Sequence, residues 1–167
     1  MENLFWVGIL GGIVALIFAF CQSRKVLKFS EGTPTMKKIA AAIRSGANAY
    51  LKRQYKTVAT FFIITAVILA VLAYGFKMVS PYVPFAFLTG GIYSTLAGFV
   101  GMKMATSANA RTANAANESL DRGLKVAFSA GSVMGFTVVG LGILDVSIWF
   151  HVLKYIFHCD SYTIANT

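Results

Sequence analysis

Acidic side chains are scarce in this chain of 167 residues, which holds six Asp and Glu against 15 Lys and Arg. The six are Glu2, Glu31, Glu118, Asp121, Asp145 and Asp160, and none lies within a predicted membrane span. A proton or cation route needs carboxylates at membrane depth, and a metal cluster needs several in one pocket. We therefore predict no catalytic, cofactor-binding or metal-binding residue in this chain.

Other signatures of chemistry are missing as well. No phosphate-cradling glycine loop, nucleophile elbow or pair of thiols at metal spacing is present. A cluster near the end could in principle bind zinc; its members are His151, His158, Cys159 and Asp160. The spacing of His151 and His158 does not place both on one face of a short helix, and the aromatic residues around them indicate an interfacial belt instead.

Apolar residues dominate what is present. They make up 57% of the chain, charged residues only 13%, and the mean hydropathy is +0.68. Four long apolar stretches fit membrane-spanning helices, at about residues 4–22, 57–76, 79–102 and 126–144. We predict an all-α, polytopic membrane helix bundle that forms part of a larger multi-span protein. Residues 145–167 are predicted to be an extracytoplasmic tail or the start of a further helix.

Basic residues indicate the orientation of the spans. The connection between the first two spans carries nine Lys and Arg against the single acid Glu31, the second carries Lys77 alone, and the third is again basic. The positive-inside rule then places the first and third connections in the cytoplasm and both termini outside, in a membrane that we take to be bacterial. The basic residues flank spans and lack a stacking platform, so the bilayer is the expected partner and nucleic acid is not.

The first connection has a helical pattern of its own. Thr33 and Pro34 suit a helix start, and apolar residues recur at helical spacing after them. An unbroken helix over residues 35–76 would be about 60 Å long, twice the hydrocarbon thickness, and would project into the cytoplasm. A helix lying on the membrane surface is the alternative, although its small residues favour tight helix contact.

Small residues mark the positions where we expect helices to touch. The segment 101–136 is built largely of Ala, Asn, Ser and Thr between two apolar runs, which suits a helix that leaves the bilayer and stays packed against neighbours. Pairs of glycines four apart recur within the first and fourth spans. The predicted packing residues are Gly46, Ala47, Ala105, Ala108, Asn109, Arg111, Thr112, Ala115, Gly131 and Gly135.

Two long patterns resemble a known family. The stretch IAAAIRSGANAYLKRQYKTVATF, followed by GFVGMKMATSANARTANAA and GLKVAFSAGSVMGFTVVGLGIL, is similar to the early region of the membrane-integral, ion-pumping inorganic pyrophosphatases. The resemblance covers residues 36–144, whereas the first span is nondescript and residues 145–167 match poorly. Residues 1–167 would then be the N-terminal part of one membrane pyrophosphatase domain.

The resemblance implies a pump that couples hydrolysis of magnesium pyrophosphate to transport of protons or sodium ions. Such pumps work as homodimers, some respond to potassium, and their substrate is bound by acidic repeats on an inner ring of later helices. The early helices belong to an outer ring. Because this chain shows none of the acidic repeats, no catalytic residue is carried over, and the remaining helices of the parent become expected partners.

The resemblance therefore leads to the expectation that the chain is a truncated piece that is inactive alone. The alternative hypothesis is a self-contained four-helix membrane protein that acts as an accessory or scaffold without catalysis. The coding sequence beyond residue 167 distinguishes the two hypotheses.

Overall fold

The computed structural model describes residues 2–160, 163–164 and 167, and the described part is built of helices. Helix α1 is Glu2–Leu27, α2 is Pro34–Ala70, α3 is Val83–Glu118 and α4 is Leu120–His151. Helices α2 and α4 each run on through one π-helical turn, Val71–Gly75 and Val152–Ile156. Among the described residues, these four helices are long and apolar enough to cross a membrane.

Helix starts follow from local capping chemistry. At α2, the Thr33 hydroxyl accepts a hydrogen bond from the Met36 amide at 3.3 Å, and Pro34 occupies the first turn. At α4, Ser119 caps in the same way, by accepting from the Arg122 amide at 3.2 Å. Such caps satisfy amides that have no partner inside the helix. Ser119 is also the one residue between α3 and α4, so the two helices meet in a tight turn.

The predicted long extension of the second span is confirmed. Helix α2 and its π-helical turn form an unbroken run of 42 residues, which corresponds to about 60 Å. The third span likewise continues without a break through the Ala-rich and Asn-rich segment to Glu118. Both helices are thus longer than a bilayer core, which is about 30 Å thick.

Helix α4 lies at the centre of the helix packing. Its most extensive contacts are with α3 and with α1, and α2 packs against α3. The interior is formed by small or medium side chains, and its central cluster consists of Ala19, Val26, Met104, Ala108, Ala115, Val126 and Val133. Large apolar side chains such as Phe61, Ile63 and Phe128 point outward instead. This inverted distribution suits a bundle whose surroundings are lipid.

The contact between α1 and α4 depends on glycines, which have no side chain. A Cβ added at Gly12 would lie 2.9 Å from the Gly140 carbonyl oxygen and 2.6 Å from Leu144 Cγ, and one at Gly8 would lie 2.5 Å from Ser147 Oγ. Backbone opposes backbone at this crossing, which leaves no room for a side chain. The expectation of close approach at the Gly8 and Gly12 pair in the first span therefore holds.

Helix α4 departs from the prediction at its end. The fourth span was expected to end at residue 144, with a tail or a new helix beyond, but the same helix continues through the π-helical turn to Ile156. Asp145 thereby lies inside the long apolar helix rather than beyond its end, whereas the limits of the span within the bilayer stay a prediction. The Trp149 indole donates a 2.6 Å hydrogen bond to the Thr89 hydroxyl, which ties this last part of α4 to α3.

The α1–α4 contact generates a prediction with a matched control. Gly12→Leu forces a side chain against the Gly140 backbone, whereas a Cβ at the neighbouring Gly11 meets no atom within 4 Å. We expect Gly12→Leu to destabilise the bundle by about 1–3 kcal/mol, the usual cost of overpacking. Gly11→Leu should change stability by less than about 0.5 kcal/mol. Thermal unfolding in detergent measures both; equal effects would contradict the contact.

Candidate functional site

Paired charges gather at one end of the bundle, where the α1–α2 and α3–α4 connections lie. We call this the basic end, because residues 24–56 and 103–125 carry most of the Lys and Arg there. Its centre is Glu31, the lone acid of the first connection, which two arginines approach from different helices. Glu31 and these two arginines form the centre of the site.

Glu31 joins three parts of the chain. Its carboxylate takes a forked contact from Arg44 of α2, at 2.7 Å to Oε1 and 3.4 Å to Oε2. Arg111 of α3 approaches the same Oε1 at 2.9 Å. The side chains of Arg111 and Glu31 are 13% and 17% exposed, so this pair is largely shielded from water. Shielding strengthens the attraction between opposite charges.

Arg111 is held by further bonds. Its Nε donates to the Phe29 carbonyl oxygen at 3.0 Å, and its terminal nitrogen also donates to the Ser107 carbonyl oxygen one turn earlier in α3. The guanidinium therefore bridges the segment after α1 to α3. A planar group with several donors is suited to this task, and lysine could not reproduce it.

The ion pairs change the acidity of Glu31. The hydrogen bond from Arg44 and the positive charges of Arg111 and Arg44 outweigh partial burial and lower the pKa of Glu31 below its ordinary value of 4.5. At neutral pH the group is therefore an ionised carboxylate that is already occupied by two cations. Such a carboxylate is a structural tie and has little capacity left to act as a base or a metal ligand.

The turn beside Glu31 requires glycine. Gly32 has φ +81, a left-handed conformation that side chains disfavour, and an added Cβ would lie 2.5 Å from Asn114 Oδ1. The backbone of the first connection is thus pressed directly against α3. The contact brings Glu31 within reach of Arg111.

Polar contacts between α2 and α3 continue away from Glu31. Lys103 Nζ donates to Asn48 Oδ1 at 2.8 Å, and the Tyr55 hydroxyl donates to the Thr95 carbonyl oxygen at 3.1 Å. Glu118 pairs with Arg122 across the α3–α4 turn. These bonds tie the extension of α2 to α3 rather than leaving it free.

The predicted packing residues divide into two groups. Ala108 and Ala115 are buried, Arg111, Thr112 and Ala47 are half-buried, and all of them lie on α2 or α3 at the basic end. Gly46, Ala105 and Asn109 are exposed, and an added Cβ at Gly46, Gly131 or Gly135 would meet no atom within 4 Å. Those three glycines make no helix contact within the described chain, so packing through them stays a prediction that needs a partner from outside it.

Sequence reasoning missed the glycines that do make close contacts on α3 and α4. An added Cβ would lie 2.9 Å from Met134 Cγ at Gly101 and 2.7 Å from Ala116 Cβ at Gly123, and it would collide with the Phe62 ring at Gly91. Sequence reasoning also missed Glu31 and Arg44. The available signal was the isolation of one acid in a strongly basic stretch, which is the pattern of a specific pairing.

Comparison with known proteins identifies the family. A family profile described as "Inorganic H+ pyrophosphatase" matches residues 13–166. The chain belongs to the inorganic H+ pyrophosphatase family. The match includes α2, α3 and α4 whole and most of α1, so the Glu31 site lies within the family region.

Individual relatives from the inorganic H+ pyrophosphatase family agree. The chain is 51% identical over 160 residues to a putative K(+)-stimulated pyrophosphate-energized sodium pump of Bacteroides thetaiotaomicron, covering 96% of the chain and 22% of the relative. It is 41% identical over 148 residues to a K(+)-insensitive pyrophosphate-energized proton pump of Methanosarcina mazei, covering 88% of the chain and 21% of the relative. A K(+)-insensitive pyrophosphate-energized proton pump 2 of Moorella thermoacetica is 43% identical over 141 residues, covering 84% and 20%. The chain spans about a fifth of the length of these curated relatives.

The acidity of Glu31 leads to a pH prediction. Because its folded pKa lies below 4.5, the stabilisation from its ion pairs is complete above pH 4.5 and is lost as the pH falls through the folded pKa. We expect Glu31→Gln to lower the thermal midpoint most at pH 7, with a difference from the unsubstituted protein that shrinks below pH 4.5. Melting curves from pH 7 to pH 3.5 test this expectation. A difference that stays constant over that range would contradict it.

Packing of α3 at the basic end gives a second prediction. Ala108 is 4% exposed inside the central cluster, while Ala105, three residues earlier on the same helix, is exposed. Ala108→Leu should destabilise the fold by about 1–3 kcal/mol through overpacking, and Ala105→Leu should have a smaller effect. The comparison uses thermal unfolding of each variant in the full-length parent protein. A harmless Ala108→Leu would show that the cluster is loosely packed.

Proposed function

We propose that this chain is the N-terminal, outer-ring portion of an ion-translocating membrane pyrophosphatase. The whole protein couples hydrolysis of pyrophosphate to transport of protons or sodium ions across the membrane. The observation that carries the proposal is the family match over residues 13–166, together with relatives that are named as pyrophosphate-energized pumps. The four long apolar helices of the described chain supply the membrane setting that such a pump needs.

The chain itself has a bracing role in this proposal. A magnesium pyrophosphate centre requires several carboxylates that converge on one pocket. The described residues contain no group of three His, Cys, Asp or Glu that could hold a metal ion. Glu31 is engaged by Arg44 and Arg111, Glu118 by Arg122, and Asp145 lies far along α4. The donor set does not fit the metal centre, so the residues that bind Mg²⁺ and any activating K⁺ belong to the remainder of the protein.

The bracing takes a specific form. Glu31 and Arg111 tie the α1–α2 connection to α3, while Arg44 ties it to α2. These ties hold the extensions of α2 and α3 at fixed positions outside the hydrocarbon core. Later helices that reach beyond the membrane can pack against such a fixed wall. Its partners are accordingly the bilayer, the remaining helices of the same protein and, in the assembled pump, a second copy.

The orientation follows from charge. The basic end carries the Lys and Arg of the first and third connections, which the positive-inside rule assigns to the cytoplasm. Both ends of this chain then face the opposite side of a bacterial plasma membrane. Aromatic residues at that opposite end, including Trp6, Tyr82 and Trp149, suit the second membrane interface.

Assays of phosphate release test the proposal. Membranes that contain the full-length parent protein should hydrolyse magnesium pyrophosphate, and closed vesicles should build a proton or sodium gradient when it is added. Membranes that contain only residues 1–167, expressed to a similar level, should release no phosphate above background because the carboxylate cluster is missing. Varying Na⁺ and K⁺ in the same assay identifies the transported ion and the potassium dependence.

Two outcomes would count against the proposal in different ways. A full-length protein that is inserted in the membrane but inert towards pyrophosphate would refute the pump function. Turnover by residues 1–167 alone would refute the division between a bracing part and a catalytic part.

A further inference from the structure

One face of α1 carries a row of exposed apolar side chains. Leu10, Val14 and Ile17 are 63%, 64% and 58% exposed. They are spaced by four and three positions, so they share one side of the helix. The opposite side carries Gly12, which contacts α4, and Ala19, which belongs to the central cluster. The described helices thus leave this face of α1 uncovered, and we call Leu10, Val14 and Ile17 the outer row.

Positive charge follows the outer row along the same face. Arg24 lies seven residues after Ile17, about two helical turns, and it is exposed. Lys25 is its neighbour in the last turn of α1, and Lys28 follows in the turn after the helix. One face of α1 therefore passes from long apolar side chains to three cations.

An aromatic ring holds Arg24 at the border between the two regions. The guanidinium carbon lies 4.9 Å from the centroid of the Phe20 ring, which is 58% exposed. A guanidinium over an aromatic face is a favourable cation–π arrangement. The ion pairs of the basic end involve other cations, so within the described part of the chain no carboxylate pairs with Arg24, Lys25 or Lys28. Their charge is available to an anion from outside the chain.

The length of this face matches one leaflet of a bilayer. Ten residues separate Leu10 from Phe20, which corresponds to about 15 Å along the helix. A hydrocarbon core is about 30 Å thick, so one leaflet contributes half of it. An acyl chain that lies along the outer row therefore brings its phosphate to the level of Arg24. The surplus of cations at that level favours a lipid with a net negative charge.

We propose that the basic end of α1 is a binding site for an acidic phospholipid, whose phosphate contacts Arg24 and Lys28 and whose acyl chain lies on the outer row. Arginine can donate two parallel hydrogen bonds to phosphate oxygens, and lysine adds a point charge. The site is more specific than an orientation bias, because it requires cations aligned with an apolar face one leaflet long. The inference does not rest on the pump function, since it uses only residues of α1.

Lipid titration of the full-length protein tests the headgroup contact. Native mass spectrometry measures the affinity for phosphatidylglycerol and for phosphatidylcholine with the same acyl chains. The double substitution Arg24→Gln and Lys28→Gln should weaken one phosphatidylglycerol binding step about 30-fold, from about fivefold for each cation. Phosphatidylcholine binding should stay unchanged, and equal affinities of the unsubstituted protein for the two lipids would overturn the inference.

A matched pair removes the same charge elsewhere at the basic end. Lys37 and Lys38 are exposed near the start of α2, where the next turn presents Ala41 and Ala42 instead of long apolar side chains. Lys37→Gln with Lys38→Gln should therefore leave phosphatidylglycerol binding unchanged. Equal losses from the two pairs would show an unspecific attraction between charges and would overturn the site.

A photoreactive lipid tests the contact with the acyl chain. Phosphatidylglycerol with a diazirine in its acyl chain is irradiated in vesicles that contain the full-length protein, and linked peptides are identified by mass spectrometry. We expect adducts on residues 10–20, and fewer of them in the variant with Arg24→Gln and Lys28→Gln. A lack of adducts on residues 10–20, as when another helix covers this face, would overturn the inference.

The two proposals fail separately, because neither lipid experiment uses hydrolysis. A protein that binds the lipid at α1 but is inert towards pyrophosphate contradicts the pump function alone. An active pump whose α1 takes up no phosphatidylglycerol contradicts the lipid site alone.

Discussion

Close approach of helix backbones is the constraint on which the rest of this structure depends. In lipid, an apolar side chain gains little by moving from the bilayer into a helix interface, so packing itself must hold the helices together. The crossing of α1 and α4 shows the consequence, because the Gly12 and Gly140 backbones lie too close for any side chain between them. The central cluster consists of Ala, Val and Met for the same reason, while Phe and Ile point outward.

The basic end is held together by different physics. Outside the hydrocarbon core the helices are rich in Lys and Arg, which repel one another, and one carboxylate offsets two of these charges at a partly shielded position. Glu31 thereby joins α2, α3 and the connection after α1. The bonds from Arg111 to the Phe29 and Ser107 carbonyl oxygens add to this ion pair and hold the guanidinium between the connection and α3. The spans therefore pack through glycines and other small residues. The basic end is held together by ion pairs and hydrogen bonds of charged side chains.

Prediction from the sequence succeeded where a single local pattern was enough, namely the hydropathy of a membrane span or the helical spacing of apolar residues. Hydropathy located the four spans, and helical spacing after Thr33 and Pro34 predicted the unbroken α2. It did not predict that α4 continues past Asp145, because the acid was taken as the end of the fourth span. Glycine and a hydroxyl on α3 give that carboxylate a place inside the helix pair, and such a place depends on a neighbouring helix that no local pattern reveals.

The sequence by itself determined the helical class, the number of long apolar helices and the family, since each follows from composition or from a long linear pattern. The tertiary structure alone decided which glycines touch. Gly12 and Gly101 lie at helix contacts while Gly11 and Gly131 face open space, although all four look alike in the sequence. The physical reason is that a contact is a property of two surfaces, and the rotation of each helix about its axis is set only when the whole bundle packs.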